Sequence, residues 1–362
     1  MDKKRTISHY IPKIGKDLSN YSGKEIIDKL GDDVIRNVVI SVLSGGNVRA
    51  LTESLTRRRL NLSNASMLIT YIHCLNNIED FCNNLNDLVA DELKNVHLDK
   101  ESKIFLNWII GLTGKGIQNV LRSDDTELLP YLNDLNEALQ KSVKESINTF
   151  GEITTELIDK NNQKYFLKWP ELLQLFTAIG TQTLSIRGSE KSMYGKFFEK
   201  LILGSLLTIL GFNIRNESNK NISSKLFWLS ERNNKRESDA TVLLKPGVGA
   251  RFDIGFIGPG NTEISLDKVS RFEREIEYGR QKYYMSTIII VDRIGEGSRI
   301  REMAKAINGD IVQMSMTYWV KEIATILYKK LSYSHDLLKY TNEESIKYIK
   351  KCMQNVDMKL FV

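Results

Sequence analysis

The sequence predicts an α/β protein whose mixed sheet, flanked by helices, follows a mainly helical N-terminal domain, and three observations carry that prediction. From about Gly23 to about Glu190, apolar residues recur at three- and four-residue spacing, with Gly and Asn at the breaks. After about residue 190 the texture changes to short apolar runs separated by helical stretches. Charge is also segregated. Lys and Arg outnumber Asp and Glu 12 to 7 over residues 1–60 and 31 to 22 over 161–362, but trail 8 to 16 over 61–160. Basic ends around an acidic middle suit a polyanion held by the terminal parts of the chain. The expected domains are 1–188, mainly α-helical, and 189–362, α/β with C-terminal helices.

Within the helical part, DDVIRNVVISVL (32–43) opens on acidic residues and closes at SGGN, after which VRALTESLTRRRL continues as a basic helix. A helix, a Gly-containing turn and a basic helix make a helix-turn-helix-like pair at 32–60, an arrangement that places its second helix in the DNA major groove. Arg49, Arg57, Arg58 and Arg59 are its candidate DNA contacts. An ordinary αα-hairpin with the arginines on solvent is the other reading. Segments 101–114, 126–148 and 169–185 have the pattern of packed bundle helices.

Several function classes are excluded. The three cysteines form no CxxC pair and the four histidines show neither HxH nor HExxH spacing, so neither a disulfide framework nor a histidine- or cysteine-based zinc site is expected. MDKKRTISHY lacks the apolar core of a signal peptide, and no window approaches the roughly 18 apolar residues of a membrane span. A cytoplasmic protein without a membrane partner is expected.

In the α/β part, MYGKFFEKLILGSLLTILGF (193–212) is an amphipathic helix with Gly211 suited to its C-cap. Strands are expected around 225–229, 237–244, 250–257, 287–292 and 310–315, with helices from Ser265 to about Lys282 and over 298–308. The C-terminal helix in TYWVKEIATILYKKL offers either a subunit interface or a core-packing face.

The stretch RESDATVLLKPGVGARFDIGFIGPGNTEISLDK (236–268) sets carboxylates inside apolar strands, which is costly unless each charge is compensated. With a turn at KPGVG, Asp239 and Asp253 meet at one end of a hairpin. Paired carboxylates are hard oxygen ligands of the kind Mg²⁺ takes beside phosphate oxygens. Glu199, inside the apolar face of the preceding helix, is a third candidate ligand.

This order, Glu on a helix ending in LGF, Asp on one strand and an acidic residue on the next, resembles the PD-(D/E)XK nuclease fold. The resemblance implies metal binding by Asp239 and Asp253, with the backbone carbonyl of Ile254 as a further ligand. The family writes (D/E)xK where this chain has Asp253-Ile254-Gly255, so the lysine is absent from its usual place. Lys268, one turn into the following helix, is the candidate replacement. A rival alignment takes Asp253 as the first acidic residue and Glu263-Ile264-Ser265 as the triplet, which keeps Glu263 as a ligand or water-positioning candidate.

Two longer stretches, DDVIRNVVISVLSGGNVRALTESLTRRRL and FDIGFIGPGNTEISLDKVSRFE, resemble the CfrBI-type family of type II restriction endonucleases. That resemblance implies Mg²⁺-dependent double-strand cleavage at a short palindrome, CCWWGG (W = A or T), by a homodimer, in a cell that also holds a cognate DNA methyltransferase. Arg271, Arg274 and Arg280 join the candidate DNA contacts. The competing readings are a non-catalytic DNA-binding regulator with a degenerate nuclease-like domain, and a structure-specific repair nuclease of the same fold.

Overall fold

The computed structural model describes residues 6–20, 24–121, 127–159, 161–215, 224–230, 238–255, 284–294 and 309–362. Helices α1 (Lys13–Ser19), α2 (Lys24–Leu30), α3 (Asp32–Leu43), α4 (Val48–Asn77), α5 (Leu85–Leu93), α6 (Lys100–Ile109) and α7 (Leu128–Phe150) precede a hairpin of β1 (Thr155–Ile158) and β2 (Lys164–Leu167). The long α8 (Trp169–Ile209) leads to β3 (Asn213–Ile214), β4 (Leu226–Leu229), β5 (Ala240–Lys245), β6 (Val248–Gly255), β7 (Tyr284–Val291) and β8 (Gly309–Gln313). Helices α9 (Trp319–Leu331) and α10 (Asn342–Met353) follow. The helices expected over 265–282 and 298–308 lie outside the described residues.

The chain forms two compact units, Met1–Tyr21 with Leu55–Lys191, and Ser22–Ser54 with Ser192–Val362. Residues 22–54, assigned to the helical domain from sequence, thus go with the sheet. Both α4 and α8 run from one unit into the other. The sequence reading gives separate helices over 169–185 and 193–212, yet α8 runs through both without a break. Gly188, one of four glycines in α8, costs about 1 kcal/mol, too little to end a helix that is packed on both sides of it.

The first unit packs Met67, Tyr71, Phe105, Leu106 and Trp108 among its fully or nearly fully buried residues. Glu92, itself buried, accepts the backbone N–H groups of Ile7 and Ser8 and so fastens the N-terminal segment. The antiparallel β1–β2 hairpin escapes sequence reading because each strand alternates over only four residues.

The second unit is built on a six-stranded sheet in the order β3-β4-β5-β6-β7-β8. Strands β4, β5 and β6 form an antiparallel meander, whereas β7 is parallel to β6 and β8 is parallel to β7. The β5–β6 turn is Pro246-Gly247, with Gly247 at φ 78°, a conformation that glycine adopts without strain. One face carries Phe227, Val242, Phe252, Ile254, Ile288, Ile290 and Val312, all fully buried. Phe361 packs between α8 and this sheet: its ring centroid lies 6.2 Å from that of Phe227, and its atoms fill the space a side chain on Gly204 would need.

Helix α8 ends in a Schellman arrangement, with Gly211 at φ 84°, its N–H on Thr208 O and the Phe212 N–H on Leu207 O. Tyr333 Oη donates to Leu210 O at 2.6 Å and closes the same end. Arg36 on α3 bonds Asp32 at 2.7 Å and reaches the carbonyls of Met353 and Val356 at the end of α10. Trp319 Nε1 donates to Val42 O at 2.9 Å. Helix α9 buries Trp319, Val320, Ile323, Ala324 and Leu327, so the core, and not a subunit interface, uses its apolar face.

Candidate active site

Ala240 pairs with Phe252 and Thr241 with Arg251, and continuing that antiparallel register by one residue sets Asp239 opposite Asp253. Directly opposed residues share a face, so both carboxylates belong to the same face of the sheet. Asp253, only 4% exposed, lies between Phe252 and Ile254, whose side chains turn to the opposite, fully buried face. Asp239 reaches across to β6, where its Oδ2 accepts the Ile254 N–H at 2.9 Å.

Like charges directly opposite on adjacent strands destabilise each other, and burial raises the cost. Two apposed carboxylates, one of them buried, therefore fit a hard divalent cation. Among the described residues, no three His, Cys, Asp or Glu side chains gather into an ion-binding group. Glu199, half-buried on α8, accordingly does not complete a three-carboxylate cluster with Asp239 and Asp253. Lys268, Glu263, Arg271, Arg274 and Arg280 lie outside the described residues. The alignment that pairs Asp253 with Glu263 therefore involves a residue outside the described ones.

The arginines of the helix pair separate. Arg57 and Arg58 are exposed on α4, and Arg49 lies in its first turn. Arg59 is 3% exposed; it donates to Glu190 Oε1 at 3.1 Å and to Leu18 O at 2.9 and 2.7 Å. This buried pairing corrects the expectation that Arg59 contacts DNA. The RRR run reads as one basic patch in sequence, but three consecutive helical residues point in directions about 100° apart, and one of the three faces the core.

Sequence reasoning passed over residues at the C-terminal ends of β7 and β8. Asp292, 8% exposed, follows β7; its N–H donates to Gly255 O at 3.3 Å and its carbonyl accepts from Ser315 N at 3.2 Å. Gln313 Nε2 donates to Ser315 Oγ at 2.6 Å. Asp292 ends STIIIVD much as Asp253 interrupts ARFDIGF, and the same test for a carboxylate bordering an apolar strand would have found it.

Comparisons with known proteins identify the family. The chain is 40% identical over 349 residues, 95% of each sequence, to the type II restriction enzyme CfrBI of Citrobacter freundii. No solved structure matches it. The family described as CfrBI restriction endonuclease matches residues 32–299, from the start of α3 past the end of β7, which takes in both aspartates. With that span and that relative, the chain belongs to the CfrBI family of type II restriction endonucleases, enzymes that cleave DNA at specific sites.

Proposed function

We propose that the enzyme cuts both strands of a short palindrome, CCWWGG, in a Mg²⁺-dependent reaction centred on Asp239 and Asp253. The apposition of these two carboxylates across β5 and β6 carries the reading. When bound, the cation polarises the scissile phosphate and lowers the pKa of a bound water. Asp239 and Asp253 provide oxygen donors from a rigid hairpin, and the Ile254 N–H holds one Asp239 oxygen in place. The Ile254 carbonyl is a further donor, with Glu263 supporting the metal or positioning water. Position 255 is glycine at the end of β6, so Lys268 takes the part of the lysine that orients the attacking water or stabilises developing charge.

Arg57 and Arg58, with Arg49, Arg271, Arg274 and Arg280, contact phosphates or base edges. A palindrome presents the same half-site twice, so a two-fold homodimer puts one active site on each strand. The enzyme acts in the cytoplasm, where a cognate methyltransferase protects host DNA.

The test is to incubate the purified protein with fully sequenced plasmid DNA, with and without Mg²⁺, beside Asp239→Ala and Asp253→Ala, and to map fragment ends. Discrete Mg²⁺-dependent fragments ending at CCWWGG, lost in both variants while DNA binding persists, support the reading. Cleavage retained in either variant refutes the assignment of that aspartate.

A further inference from the structure

Wholly within the second unit lies a cavity of about 310 Å³ lined by Gly45, Asn47, Asp292, Arg293, Gln313, Ser315 and Met316. It joins the α3–α4 turn to the C-terminal ends of β7 and β8. The register relates one of its residues to Asp253. Asp253, Ile289 and Ile311 form one row across the three parallel strands, and Gly255, Val291 and Gln313 form the next row on the same face. Gln313 therefore projects from the face that carries Asp253, one row nearer the sheet's end.

The lining has a definite chemistry. Arg293 is a fixed donor, Asp292 an acceptor, and Asn47, Gln313 and Ser315 supply both functions. Gln313 is oriented by its bond to Ser315 Oγ, which leaves the serine proton for another acceptor. Asn47 is tied at the start of α4, where its Oδ1 accepts from Ala50 N at 3.4 Å. Gly45, at φ 93°, brings the turn so close that a Cβ there would lie 3.0 Å from Thr317 N. A phosphate suits this set poorly, because the mostly buried carboxylate of Asp292 would repel it. A nucleobase suits it well: each base presents donors and acceptors together on one edge, and has an apolar face for Met316.

We propose that this cavity is a specificity pocket that contacts one nucleobase of the DNA target, with Gln313, Arg293 and Asp292 as the discriminating residues. The inference rests on the DNA-cleaving reading above and adds residues that read sequence, distinct from those that cut. The experiment compares wild-type enzyme with Gln313→Ala, Gln313→Glu and Arg293→Ala on duplexes carrying every single base-pair replacement within the cleaved site. Discrimination at one position is expected to fall roughly 5- to 150-fold, the range for one good base contact. The other positions and the affinity for non-target duplex stay unchanged. A base analogue lacking one exocyclic group at that position should cost the wild-type enzyme the same factor and cost the variant nothing further. Uniform losses on all sequences, or unchanged discrimination in all three variants, overturn the proposal. Failure of the DNA-cleaving reading shows separately, as absence of discrete fragments from the wild-type enzyme.

Discussion

The Arg59–Glu190 pair separates a structural arginine from a DNA-binding one. Arg59→Met keeps the aliphatic volume of the side chain and removes the guanidinium, which makes bonds of 3.1 Å to Glu190 Oε1, 2.9 and 2.7 Å to Leu18 O, and 3.4 Å to Ser19 O. Both side chains are 3% exposed, so water does not take over. Breaking a buried pair by removing one partner costs about 3–5 kcal/mol, much of it the stranded carboxylate. Loss of charge-assisted bonds to the Leu18 carbonyl pushes the figure toward the upper end of that range. Glu190→Gln should cost less, about 1–3 kcal/mol, because Arg59 keeps a carbonyl acceptor and Glu190 Oε2 makes no hydrogen bond to lose. Arg58→Ala, at an exposed position, should stay within about 0.5 kcal/mol of wild type while weakening DNA binding. Urea unfolding of the three variants, beside fluorescence anisotropy with a DNA duplex, checks all of this. If Arg59→Met is as stable as the wild type and lowers the salt slope of DNA binding by about one, Arg59 contacts phosphate and the reasoning is refuted.

Asp253→Asn should reduce Mg²⁺-dependent cleavage by on the order of 10³-fold, the factor for a lost contact of several kcal/mol. Because the change relieves a like-charge contact with Asp239, melting in EDTA should occur no lower than for wild type; a large drop would mean that the carboxylate is structural. Gly204→Ala sets a methyl 2.5–2.6 Å from the Phe361 ring. Overpacking costs about 1–3 kcal/mol. It outweighs the helix preference for alanine, about 1 kcal/mol, so the variant melts below wild type, and adding Phe361→Ala removes the added penalty. Burial pushes the Cys82 thiol up to about 11 and the Cys74 thiol higher still. A thiol-specific reagent at pH 8 should therefore label Cys82 slowly, and Cys74 only on unfolding; rapid labelling of Cys74 in the native protein would contradict its burial.

What was legible in the sequence, and what was not, follows from the range of the interactions involved. Strands β4 to β8 each begin or end within three residues of expectation, because short apolar runs, a Pro-Gly turn and the Gly211 cap are local signals. The apposition of Asp239 and Asp253 was likewise readable, since one hairpin holds both. Arg59 was not: its exposure depends on Leu18, 41 residues away, and Glu190, 131 residues away. Residues 22–54 were assigned to the wrong neighbours for the same reason, because Arg36 and Val42 find their partners at Met353, Val356 and Trp319, with no local pattern to announce it.

The hairpin also explains why carboxylates occupy strands that look buried. Pairing runs from Lys245 with Val248 to Leu243 with Gly249, leaving Leu244 as an extra residue on β5. Without that bulge, regular antiparallel pairing from Lys245–Val248 would put Ala240 opposite Asp253 and Asp239 opposite Ile254. Side chains alternate along a strand, so the two carboxylates would no longer face one another. The one-residue irregularity shifts the register so that Asp239 comes opposite Asp253, while Phe252 and Ile254 stay with Ala240 and Val242 on the fully buried face. Bulges re-aim side chains beside active sites. Here the bulge at Leu244 makes the burial of the core face and the apposition of two like charges consequences of the same register. The packing of one face thus fixes the register that sets two like charges opposite each other on the other face.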